Sequence, residues 1–237
     1  MDTVLSEATI ACGNGEYQKA FGLLHTHLQE NRDDGRAWEL LGVALQVVGD
    51  YEGSVSTLER ASLLVPLVSN ARICIAMGYG KLGRTQLSRE LLTGLIDDAS
   101  MTADQLTDLA TGLDFVDATG MAVRACRRAI ELEPELAHPY YALGFYASKC
   151  GQPAECVISL AHKAISLDPG CVTFRVGLAS LLIKLSRSDE AYVVVKDLTD
   201  DQIEMIDCRC CMERVVPLYD GAGDVRRAEL CRRRHFD

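Results

Sequence analysis

The sequence predicts an all-α protein made of about seven helix–turn–helix units, each about 34 residues long. Three observations carry that prediction. Glycines recur at Gly15, Gly49 and Gly83, each 34 residues after the one before. Apolar residues repeat in register at helical spacing, with Leu41, Ile75, Leu109 and Leu143 at one position of successive units. Prolines, which cannot continue a helix, close units at Pro66, Pro134 and Pro169.

Counting the recurrent glycine as position fifteen starts units near residues 1, 35, 69, 103, 137, 172 and 209, so that 1–237 reads as a single array. The fourth unit has Asp117 at the glycine position, and Asp tolerates a left-handed backbone better than most residues. Position eight is Gly42, Ala76, Ala110 and Gly144; position twenty-four is Leu24, Leu58, Leu92 and Cys126. One extra residue between Gly151 and Pro169 shifts the sixth unit to Val172, after which Leu178, Ala179, Leu182, Ala191 and Leu198 resume the pattern. The seventh unit, around Tyr219, Gly223 and Ala228, follows a longer linker. The first and last units are degenerate, with Glu7 on the apolar face of one and Pro217 inside a helix of the other.

Within a unit, positions four, seven, eight and eleven form the apolar stripe of a first helix. Small residues at positions eight and twenty let a second helix approach it. Glycine ends the first helix in a left-handed conformation, where a Cβ costs about 1 kcal/mol. Thr102 with Gln105 reads as a capping box, and Pro153 as a first-turn proline. Neither stripe is buried within one hairpin, so stacking of units must supply the core.

The run Trp38, Leu41, Gly42, Leu45, Gly49, Tyr51, Leu58, Ala61 and Pro66 resembles the tetratricopeptide-repeat (TPR) signature, and Tyr140, Leu143, Gly144, Gly151, Ala164 and Pro169 repeat it. The resemblance covers nearly the whole chain. It implies a right-handed superhelical solenoid acting as a non-catalytic scaffold or adaptor for another protein or peptide segment, without a cofactor. It also implies a groove lined by positions two, five, nine and thirteen of the first helices. The Lys–Asn clamp that some family members close on a terminal carboxylate is absent: Leu5, Thr9, Glu39 and Val43 stand at its places.

Composition agrees. Twenty-four basic against 34 acidic residues give a net charge of −10, which repels phosphate backbones and argues against nucleic acid as a partner. The start Met1-Asp2-Thr3 lacks a basic segment followed by an apolar one, and the apolar run Leu63–Val68 is too short to span a bilayer. A soluble cytoplasmic protein is expected, with its ten cysteines reduced.

Gly78, Gly80 and Gly83 spell a dinucleotide-binding pattern, but they fall on a helical repeat rather than between strand and helix. Cys208, Cys210, Cys211, Cys231 and His235 converge at the two ends of the last hairpin. They support the alternative of a metal- or thiol-dependent regulator, although C-x-C-C is not a usual zinc spacing. Cys126 and Cys156 are expected to fill gaps between helices. His25 and His27, two apart on different sides of a helix, are read as surface or rim residues, and Arg226, Arg227, Arg232, Arg233 and Arg234 make the last helix basic.

The expected partner-binding residues lie at the groove positions: Asn70, Ile73, Met77 and Lys81 in unit three, His138, Tyr141, Phe145 and Lys149 in unit five, and Val176 and Lys184 in unit six. Apolar residues there, with a lysine at position thirteen, suit a segment bearing hydrophobic and acidic side chains.

Overall fold

The computed structural model describes the backbone of residues 3–206 and 209–236, and the side chains of 3–206 and 212–233. Fifteen helices and no strand occur among the described residues. They form hairpins: α1 (Thr3–Gly13) with α2 (Tyr17–Glu30), α3 (Gly35–Val47) with α4 (Tyr51–Leu64), and α5 (Ser69–Lys81) with α6 (Thr85–Leu95). Next come α7 (Ala103–Phe115) and α8 (Thr119–Leu132), α9 (Ala137–Lys149) and α10 (Ala154–Leu167), and α11 (Val172–Lys184) and α12 (Ser188–Val195). A short α13 (Asp200–Glu204) precedes the last hairpin, α14 (Arg209–Gly221) and α15 (Val225–Phe236). The chain divides into two compact bodies, Met1–Arg128 and Ala129–Asp237.

The turn at position fifteen has one conformation throughout. Gly15, Gly49, Gly83, Gly151 and Gly223 have φ between 73° and 86°. Asp117 takes that place at φ 57°, and so does Ser186 at 60°, which the glycine spacing did not reveal. Each turn is tied by a backbone N–H one residue further on, as when Asp50 donates to Leu45 O (3.0 Å) and Arg84 to Tyr79 O (2.8 Å).

Small residues set the distance between paired helices. A Cβ on Gly42 would lie 2.5 Å from Leu58 Cγ. Opposite it, the buried Ser54 hydroxyl donates to Gly42 O at 2.7 Å. The same two layers hold in other units: Ala76, Ala110 and Ala179 at position eight, and Ala20, Ala122, Ala191 and Ala228 at position twenty, are fully buried. So are Leu24, Leu58, Leu92 and Cys126 at position twenty-four.

The extra residue of unit five lies in its turn. α10 starts three residues after Gly151, whereas α4 starts two after Gly49. The second-helix register therefore moves by one: Val157 and Ala161 face inward, and Cys156 is exposed on the outside. The expectation that Cys156 fills a gap is thus corrected.

Caps fall where the composition puts them. Thr102 and Gln105 exchange their bonds in a capping box, and Thr199 with Gln202 makes a second one before α13. Asp34 caps α3 through the N–H groups of Arg36 and Ala37. Pro153 is the N-cap of α10, one residue ahead of its first turn. Gly78 and Gly80 lie inside α5 with no strand before it, so their pattern has no phosphate-binding geometry.

Candidate functional site

The second body contains a cleft of about 460 Å³ built mainly from the first helices of its units. α9 contributes Tyr141, Gly144, Phe145, Ser148 and Lys149; α11 contributes Ser180, Leu181 and Lys184; Arg214 comes from α14. The floor is apolar, with Val157, Ala161 and Leu178. Phe145 is 54% exposed, an unusual state for a ring in the middle of a helix. It is held edge-on to Tyr146 at 5.2 Å, and the Lys149 ammonium sits 5.6 Å from its ring centre. Lys149, Lys184 and Arg214 thus line one apolar cleft within an acidic chain.

Tyr141 has a different role. Its ring packs 4.9 Å from the buried Phe174 ring, and its hydroxyl occupies the space where a side chain on Gly177 would begin. It joins α9 to α11 and only partly faces the cleft. His138 also meets Phe174, edge-on at 5.1 Å.

Two expected groove residues are not on a surface. Ile73 is 3% exposed and Val176 is 2% exposed. Position five faces the packing between neighbouring helices, and a β-branched residue there fills it. Met77 is half-buried beside Gly112, while Asn70 and Lys81 are exposed. Lys81 lies 4.0 Å over the Phe115 ring, which is 47% exposed. Glu39, at position five of unit two, is also buried; it accepts the Val68 N–H at 2.7 Å and pairs with Arg36 at 2.5 Å. Of the expected residues, Tyr141, Phe145, Lys149 and Lys184 meet in one cleft.

Ser180 and Arg214 were not expected there. Ser180 is position nine of unit six, and its hydroxyl is buried without a hydrogen-bond partner. Nothing in the repeat marks it, since serine is common in helices.

The fold has solved counterparts. No family model and no curated protein matches this chain. Among solved structures, PilF of Pseudomonas aeruginosa superposes with a TM-score of 0.65 at 18% identity, over 85% of this chain and 90% of that one. A thermophilic TPR protein from Thermus thermophilus gives 0.60 at 17% identity, over 76% and 97%. The APC/C hetero-tetramer Cut9–Hcn1 gives 0.64 at 13% identity, over 99% of this chain and 42% of that one. The fold is that of the tetratricopeptide repeat. In TPR terms the cleft is lined by positions six, nine and thirteen of successive first helices.

Of the terminal cysteine group, Cys208, Cys210, Cys211 and the His235 side chain lie outside the described residues. Cys231 is fully buried, and burial pushes its thiol up to about 11, away from the thiolate a metal site needs. The basic last helix is largely paired within the chain: Arg226 with Asp200, Arg227 with Asp224 at 2.6 Å, and Arg232 with Asp220. Arg227 also donates to Leu198 O at 2.9 Å. His27, expected at the surface, is buried and bonded to Asp34 Oδ2 at 2.8 Å. No described helix is long and apolar enough to cross a membrane.

Proposed function

We propose that the protein is a non-catalytic TPR scaffold whose second body holds a segment of another protein, one that presents apolar and acidic side chains together. The observation that carries this reading is the exposed Phe145 ring in a cleft that Lys149, Lys184 and Arg214 also line. Leaving such a ring in water is unfavourable unless a partner covers it. The cations favour carboxylates. Cut9–Hcn1 supports the reading by analogy, since that fold relative works inside a multi-chain assembly.

The test uses three proteins: wild type, Phe145→Asp, and Lys184→Glu with Arg214→Glu. A partner captured by the wild type is purified, and its affinity for each is measured. An aromatic anchor contributes about 2 kcal/mol, so Phe145→Asp should weaken binding about 30-fold or more. The charge reversal should weaken it further at low salt than at high salt. Variants that keep the helical spectrum and bind as the wild type does would move the interface elsewhere. Tyr141 is left intact, because its truncation would open the Phe174 packing.

A further inference from the structure

In the first body, a cavity of about 290 Å³ is lined by His25, Leu28, Gln29, Arg32, Trp38 and Arg60. Its polar groups are arranged in an unusual way for this chain. Most other arginines of the first body are spent on internal partners: Arg36 on Glu39, Arg72 on Asp98, Arg124 on Asp97, Arg89 on Val116 O, and Arg128 on Ile96 O. Among the described residues, neither Arg32 nor Arg60 forms an ion pair, in a chain with an excess of carboxylates.

Arg60 is held in place without an acid. Its guanidinium lies over the Trp38 indole with Cζ 4.2 Å from the ring centre, a cation–π contact that needs no carboxylate. Glu59, its neighbour in sequence, is occupied by the Tyr79 hydroxyl at 2.8 Å. The Trp38 indole N–H donates to Arg32 O at 2.9 Å and Arg60 Nη2 reaches the same oxygen at 3.4 Å. Together they fix the backbone that carries the second guanidinium. His25 donates from Nδ1 to Phe21 O at 2.7 Å, which fixes the ring in the cavity wall. The Gln29 amide and the buried Leu28 complete the wall.

The structure assigns this cavity to an oxyanion, and we propose that it binds a phosphate monoester. Two guanidiniums and the Gln29 amide offer more donors than one carboxylate can use, but they match the three terminal oxygens of a phosphate. The indole and Leu28 offer an apolar surface to whatever carries the phosphate. The repulsion that the net charge of −10 exerts on polyanions in bulk is overcome only locally, so a single compact phosphate fits better than a nucleic-acid backbone.

Trp38 is the only tryptophan, so its fluorescence reads this wall directly. The probes are phenyl phosphate, a serine-phosphorylated peptide with its unphosphorylated form, and benzoate, each added at constant ionic strength. A saturable fluorescence change with phenyl phosphate or with the phosphorylated peptide is expected. Whichever binds more tightly tells whether the phosphate comes from a small molecule or a protein. Arg32→Gln should weaken binding about tenfold or more, and because this exposed side chain makes no hydrogen bond or ion pair among the described residues, the fold is left intact. Arg60→Gln should do the same by calorimetry, a readout that does not depend on the altered indole environment. Benzoate binding as well as phenyl phosphate would overturn the assignment, as would an absence of saturation or an unchanged affinity in Arg32→Gln.

Discussion

The closeness of the paired helices can be tested by making one substitution in two places. At Gly42 an added methyl would meet Leu58 Cγ at 2.5 Å, Cδ2 at 2.8 Å and the Leu58 backbone N at 3.3 Å. Carbon atoms prefer about 3.5–4.0 Å, so Leu58 would have to move by about 1 Å. Leu58 is fully buried, and the Ser54–Gly42 hydrogen bond pins the helices at that level. Overpacking of this kind costs about 1–3 kcal/mol. Against it stands the better helix propensity of Ala, worth about 1 kcal/mol. The clash should win by about 1 kcal/mol.

Gly22 is the control. It lies in the middle of α2, is exposed, and has nothing within 4 Å of its would-be Cβ. There only propensity acts, so Ala should stabilise by about 0.5–1 kcal/mol. At roughly 2–4 °C per kcal/mol for a chain of this size, Gly42→Ala should lower Tm by a few degrees and Gly22→Ala should raise it by about as much. Thermal melts followed by far-ultraviolet circular dichroism measure both. If the two substitutions shift Tm in the same direction, close approach at position eight is not what sets the hairpin.

Ser186→Gly should stabilise by about 1 kcal/mol, because a side chain at φ 60° carries a left-handed penalty that glycine lacks; an unchanged melt would show that Ser186 is not strained. Asp34→Ala should cost about 1 kcal/mol by removing the cap of α3, whereas Asp34→Asn should cost little at neutral pH. Burial raises the Asp34 carboxyl, but the Ala37 N–H, His27 and the Arg36 N–H together outweigh it and hold the group below its ordinary value. Its contribution is therefore complete above the unfolded value near pH 4 and is lost as pH falls through the lower folded value. Wild type should lose stability in that acid range faster than Asp34→Asn, which pH-dependent urea melts would show. Deleting residues 69–102, one whole unit, should leave a shorter protein that is still helical and melts cooperatively.

What the sequence revealed depended on how far apart the cooperating residues are. Position fifteen, the alanine layers and the Thr102 cap are local or periodic, and each side chain's task is set within its own hairpin. Ser186 escaped because the turn constrains φ and not composition, and serine bears the strain where glycine would avoid it. Cys156 was misplaced by one residue because the insertion could be located only somewhere between Gly151 and Pro169, and the structure puts it in the turn, ahead of Cys156. His27 looked like a surface residue because its partner is the cap of the next unit's helix, seven residues on, a distance that no helical period marks.

The cleft shows the same limit from the other side. Ile73, Val176 and Phe145 are all apolar residues at groove positions, yet two are buried and one is exposed. Their identities alone do not separate them; the neighbouring helix does. Phe145 shares its cleft with Ser180, the small residue at position nine of the adjacent unit, whereas Tyr141 meets Phe174 and reaches over Gly177. A small residue on one helix thus decides whether a large one on the next is core or surface. Replacing Ser180 with Leu should therefore fill the cleft, satisfy the orphaned hydroxyl by removing it, and raise Tm, while weakening any segment that docks on Phe145. A variant that melts higher and still binds with wild-type affinity would refute the assignment of Phe145 as the anchor. Higher stability with lost binding would show that the open space beside Phe145 is kept for a partner at a cost in stability.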